Sequence, residues 1–121
     1  MSKSIIKDKS YLFAKRTVQL YKYLAEKNKE FVLSKQVLRS GTAIGALVRE
    51  AQNSESTPDF IHKLAIAQKE CDETLYWLEL LKDSGYIKQK EFESIFNDAN
   101  ELLKMIRSAI ITSKSKIRKR L

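Results

Sequence analysis

RSGTAIGALVREA, residues 39–51, decides how this chain is read. The residues on either side continue a helical pattern, yet the stretch carries Gly41 and Gly45. Each should cost a helix interior ~1 kcal/mol relative to alanine. Residues 40–48 are also nine consecutive positions without a charge, in a chain where 31% of residues are Asp, Glu, Lys or Arg. A helix that is uncharged on every side is normally buried on every side. Gly41, Ala43, Gly45 and Ala46 let another backbone come close, and tight packing offsets the propensity cost. The stretch is therefore expected to be a contact surface, with either a sister helix or another subunit, and self-association is the expected consequence.

Working outward, apolar residues recur at helical spacing on both sides. The pattern predicts helices over about 10–27, 34–53, 58–83 and 88–113. In the first, Leu12, Phe13, Thr17, Leu20, Tyr21 and Leu24 share a face, and Asn28 is the expected stop. Ser34 is a suitable N-cap for the second. Thr57 caps the third, with Pro58 at the first helical position and Asp59 near the positive end of the dipole. Gly85 ends it in a left-handed conformation. The fourth has the cleanest stripe, Phe92, Ile95, Phe96, Ala99, Leu102, Leu103, Ile106, Ala109 and Ile110. The third shows two stripes: Ile61, Leu64, Cys71, Leu75 and Leu78, then Ile66, Trp77, Leu80 and Leu81. One stripe can fill a bundle, and the second needs a partner. Short connections make successive helices antiparallel. The expected architecture is all-α, an up-down-up-down antiparallel four-helix bundle. It is a single domain over residues 1–121, assembling into a ring-like homo-oligomer.

With 121 residues, three glycines and one proline, a turn-rich β fold is excluded. There is no apolar run of membrane-spanning length and no secretory signal pattern, so no membrane role is expected. The single cysteine, Cys71, precludes an internal disulfide framework and fits a reducing, cytoplasmic setting. The net charge of +8 is uneven: residues 1–16 carry five cations and one acid, residues 114–121 carry five cations and no acid, and the body is nearly neutral. An even number of antiparallel helices brings both basic ends to one pole. Lys7, Lys9, Lys15, Arg16, Lys114, Lys116, Arg118, Lys119 and Arg120 are its candidate phosphate contacts.

Near the uncharged stretch stand the charges Arg39, Arg49, Glu50, Glu70 and Glu73, and Glu70 shares a helical face with Ala67, Thr74, Trp77 and Leu81. A part-buried carboxylate needs a partner, and an arginine fork is the natural one. A structural ion-pair network is favoured over a substrate or metal site. A di-iron bundle needs two Glu-x-x-His motifs, and this chain has one histidine. Asp59 and His62 have a workable ligand spacing but no second set. His62 lacks the upstream basic residue a helical ribonuclease would need, because Glu55, Ser56 and Thr57 precede it. Cys71 is read as a small core residue, and no phosphate-cradling glycine loop exists. No enzyme activity, metal or cofactor is expected.

The combination of Arg39-Ser40-Gly41, Gly45-Ala46, Arg49-Glu50-Ala51, Asp59-Phe60, Ile66-Ala67, Lys69-Glu70, Glu73-Thr74 and Tyr76-Trp77-Leu78 resembles the four-helix-bundle family of the 23S ribosomal RNA intervening-sequence proteins, over about residues 10–112. The resemblance implies a bacterial protein and a homopentameric ring. It also brings in a related branch, the accessory variability determinant of diversity-generating retroelements, which is basic and associated with nucleic acid and a reverse transcriptase. Ala43 and Leu47 depart from that pattern, where serine and asparagine are usual.

The function expected from these features is non-enzymatic nucleic-acid binding or scaffolding, through sequence-unspecific phosphate contacts with RNA or DNA at a multivalent basic pole. The alternative is a protein–protein adaptor, for a reverse transcriptase or another protein partner, with the tail only solubilising.

Overall fold

A computed structural model describes the backbone of residues 2–120 and the side chains of residues 5–119. Four helices follow one another: α1 (Ser2–Asn28), α2 (Leu33–Gln52), α3 (Thr57–Asp83) and α4 (Gln89–Arg120). Each helix packs against its two neighbours, α1 on α2, α2 on α3, α3 on α4 and α4 back on α1. The fold is all-α, an up-down four-helix bundle. Leu24, Val37, Ile44, Leu78, Leu81 and Ile106 are among the fully buried side chains at its centre.

The two glycines of α2 face α1. A Cβ built on Gly41 would stand 2.4 Å from Thr17 Cγ2, and one on Gly45 would stand 3.2 Å from the Ser10 carbonyl oxygen. Ser10 and Thr17 are themselves buried. Their hydroxyls donate back to the carbonyls of Lys7 (3.0 Å) and Ala14 (2.8 Å), so no polar group is stranded in the contact. The partner of the glycine stripe is thus a sister helix. Ala46, on the other side of α2, is exposed.

The core seam of α3 runs through Leu64, Ala67, Cys71, Thr74, Leu78 and Leu81. Leu81, assigned from sequence to the second stripe, belongs to the core. Ile66, Trp77 and Leu80 are half-buried. In α1 the buried positions are Ile6, Ser10, Phe13, Thr17 and Leu24, while Leu12 is 60% exposed. Leu12 is one residue out of phase with that seam, which turns it to solvent.

Helix ends differ from expectation for local reasons. α1 starts eight residues early, because Ile6 packs into the core and the basic segment is wound into the helix. It ends at Asn28 as expected, and Lys29 takes the left-handed conformation, φ 54°. α3 starts at Thr57, capped by Ser56, whose side chain accepts from the Asp59 N–H. Gly85, at φ 85°, ends it as expected, with Tyr86 N–H donating to Leu81 O. α4 continues past residue 113 to Arg120.

At the start of α2 the capping group is Glu30. Its carboxylate accepts from the N–H groups of Val32 (3.1 Å), Leu33 (3.0 Å) and Ser34 (2.7 Å). Ser34 instead donates its hydroxyl to the Glu30 carbonyl. Burial by itself pushes the Glu30 carboxyl upward, but the N–H groups of Leu33, Ser34 and Val32 together with the Ser34 hydroxyl outweigh it, and the net pKa is lowered.

Two predictions follow from this geometry. Gly41→Ala should destabilise by about 1–3 kcal/mol despite its better helix propensity, because β-branched Thr17 has little rotamer freedom to yield. Thr17→Ser, which removes Cγ2 but keeps the hydroxyl, should restore most of the loss in the double variant. Denaturant unfolding of the four proteins checks this, and equal stability of Gly41→Ala would contradict it. For Glu30, the ionised form is the one the folded state favours. Its contribution is full above the unfolded-state pKa and fades as pH falls through the lowered folded value. Glu30→Gln should therefore be less stable than wild type at neutral pH, with the gap closing below about pH 4. Thermal melts across pH measure that gap.

Candidate nucleic-acid interface

The four helices place α1's start, α2's end, α3's start and α4's end at one pole. Cross-helix contacts fix the pairing: Lys9 with Glu101 and Arg16 with Asp98 join α1 to α4, and Lys63 with Glu50 (3.1 Å) joins α3 to α2. α4, with 32 residues, outruns the 20-residue α2. Its last turns carry Lys114, Lys116, Arg118 and Lys119. All four are exposed, and none makes an ion pair among the described residues. The helical repeat spreads them around the axis, with Lys114 and Arg118 on one face and Lys116 and Lys119 on another. The side chain of Arg120 lies outside the described residues. From residue 102 to the end the sequence contains no acid, so this arm has no internal counter-charge.

The N-terminal candidates divide. Lys7 is exposed near the pole. Lys15 is exposed too, its ammonium 5.9 Å from the centre of the Tyr11 ring. Lys9 and Arg16, expected to be free phosphate contacts, are engaged in the α1–α4 seam. Lys9 pairs with Glu101, and Arg16 reaches Asp98 at 2.7 Å and the Ser94 hydroxyl at 2.7 Å. Their acids come from the last helix, a proximity that no local sequence signal announces. The basic pole is therefore smaller at its α1 side than the charge count suggests.

The ionic cluster near the uncharged stretch forms between α2 and α3. Arg39 reaches Glu70 at 3.2 Å and also contacts Glu73. Trp77 Nε1 donates to the same Glu73 carboxylate at 3.0 Å. Beneath it, the buried hydroxyls of Ser40 and Thr74 lie 2.9 Å apart. Thr74 is also 2.8 Å from the Glu70 carbonyl, so it can donate there while accepting from Ser40. Arg49 does not join this cluster. It lies over the Tyr11 ring of α1, 5.3 Å from its centre, while Glu50 takes Lys63. With these contacts made, the cluster is a helix–helix clasp between α2 and α3.

Glu30 is the helix-capping carboxylate that sequence reasoning missed. The available signal was an acid four residues ahead of Ser34, before a helix start that has no acid of its own in the first turn. Cys71 is buried, with Sγ 3.2 Å from the Ala99 carbonyl oxygen. Burial, helped by Asp72 and opposed by Arg107, pushes its thiol up to about 12, so it stays a neutral thiol. Asp59 and His62 remain in the first turns of α3, and among the described residues no three His, Cys, Asp or Glu groups converge. No described helix is long and apolar enough to cross a membrane.

Comparison with known proteins places this geometry in a family. A crystal structure of a protein of unknown function from the S23 ribosomal protein family of Bacteroides thetaiotaomicron VPI-5482 is similar, with a TM-score of 0.90 and 55% sequence identity. The match covers 91% of this chain and 98% of that one. Among curated proteins none matches. The family model described as 23S rRNA-intervening sequence protein matches residues 2–108. The chain belongs to the 23S rRNA-intervening sequence protein family.

Proposed function

We propose that this protein is a non-catalytic nucleic-acid-binding or scaffolding protein that grips RNA or DNA phosphates with the cationic end of α4. The observation that carries the reading is the acid-free arm, where Lys114, Lys116, Arg118 and Lys119 are exposed and unpaired on a continuous helix. Phosphate contacts of this kind give affinity without sequence preference, and counterion release makes them strongly salt-dependent. A helix holds the charges at fixed spacing, so less ordering is needed on binding than for a loose tail. Lys7 extends the patch from α1. Aromatic side chains are not interleaved with the arm's cations, which favours a phosphate grip over base stacking. Self-association, as a homopentameric ring in keeping with the family, would multiply the patch and raise avidity. The family's name points to a ribosomal RNA context, and the medium we propose is the cytoplasm.

A second reading, a protein–protein adaptor, draws on the opposite pole. There Tyr23, Phe31 and Val32 are exposed at 51%, 48% and 70%, at the end of α1 and in the α1–α2 connection. Such apolar exposure suits a protein partner better than a phosphate backbone.

Fluorescence anisotropy with a labelled structured RNA, across salt concentrations, tests the first reading. If the five cations of residues 114–121 each meet a phosphate, their removal should make the salt slope shallower by up to about 3.5 to 4.5, at about 0.7 per single-strand and 0.9 per duplex contact. Affinity should fall while helix content and assembly persist. Equal binding by the truncated chain would overturn the arm's role.

A further inference from the structure

The α1–α4 seam is the most sparsely packed of the four, and the pairs at Lys9 and Arg16 link it across the surface. Past Lys9, toward the pole, a cleft of about 580 Å³ opens beside α4. All four helices line it. Its floor is apolar: Ile6, Val48, Leu64, Met105 and Ala109, with Phe60 beside them. Among the described residues its charged groups are Lys104 and Lys116, with no acid in the lining. Neither lysine makes an ion pair among the described residues. The two stand twelve residues apart on α4, roughly 18 Å along the axis. The hydroxyls of Ser108, Thr112 and Ser113 lie between them along the helix.

We propose that this cleft is a binding site for an amphipathic monoanion, a medium-chain alkyl carboxylate. Its volume lies within the usual range for small-molecule sites, which are mostly apolar with a few placed polar groups. The floor takes the alkyl chain. An anion is specified because the charged side chains that line the cleft among the described residues are both positive; Glu55 lines the adjoining pocket beyond Lys116, not the cleft itself. A lysine at one end of the elongated cleft meets the carboxylate, and a hydroxyl can donate a second hydrogen bond. An alkyl cation of the same length would place like charge against Lys104 or Lys116 and is excluded by sign.

The test uses the full chain with 13C-methyl methionine, which puts a reporter on Met105 in the cleft floor; Met105→Leu assigns its signal. Octanoate and decanoate are titrated below their micelle concentrations, with decyltrimethylammonium as the sign control. The expected result is a saturable Met105 shift with both acids, decanoate binding about 15-fold tighter, at roughly fourfold for each of two methylenes. The cation should give no saturable shift. Ala109→Trp, which fills the cleft, should abolish the shift. Should that variant fail to fold, Lys104→Glu with Lys116→Glu alters only exposed side chains and should weaken decanoate about tenfold or more. Absence of a saturable shift, binding of the cation as tight as the acid, or unchanged decanoate affinity in the lysine variant would overturn the proposal.

Discussion

The close approach of α1 to α2 is the constraint on which the rest of the structure depends. Gly41 lies against Thr17 and Gly45 against the Ser10 backbone, with no room for a Cβ at the first and little at the second. Two glycines cost the isolated helix ~2 kcal/mol in propensity, yet they let two buried hydroxyl residues serve as the facing knobs. Because these contacts pair Thr17 with Gly41 and Ser10 with Gly45, they set the direction and register of α1. The clasp of Arg39, Glu70, Glu73 and Trp77 with the Ser40–Thr74 pair then sets α3 on α2. α4 closes the square. Its seam with α1 relies on exposed ion pairs, and such pairs are worth about 0–1 kcal/mol each. The cleft opens at the basic pole of the bundle, where α4 faces the other three helices.

Much of this was legible in the residues. Glycine and uncharged side chains over residues 40–48 announced a close contact, because nothing else justifies their cost in a helix. The stop at Gly85 was readable from local backbone chemistry, and an α2 arginine as partner for Glu70 from the need of a part-buried carboxylate for one, though not that Arg39 rather than Arg49 would supply it. Other features were hidden because their cause lies in tertiary structure. The first turns of α1 hold mostly polar residues, and Ile6 anchors them only once a core exists. Leu81 and Leu12 each sit beside a core seam in sequence, and a one-residue shift rotates a helical side chain by about 100°. Glu30 caps a helix from outside its first turn. Lys9 and Arg16 looked free because Glu101 and Asp98 lie in the last helix.

Family membership covers residues 2–108 and hence the bundle. The charged turns at residues 114–120 lie beyond that match, and the proposed phosphate affinity depends on them. In the proposed function, bundle and arm therefore have separable roles. The glycine contact, the clasp and the Glu30 cap build a platform. The platform brings the basic segments of α1 and α4 to one pole, where the cations of the α4 arm outnumber the acids Asp8, Glu50, Glu55 and Asp59 and give a net positive field that reaches about a Debye length into solution. Charge alone does not produce this arrangement: the same cations on a bundle with an odd number of helices would sit at opposite ends.

The most direct test is a distance. Spin labels on Lys7→Cys and Lys114→Cys, in a Cys71→Ala background and diluted with unlabelled chain, report the separation of the two basic ends by pulsed dipolar spectroscopy. A shared pole predicts one narrow population below about 25 Å, short of the ~30 Å length of a 20-residue helix such as α2. A dominant population well beyond ~30 Å would place the ends at opposite poles and contradict the account.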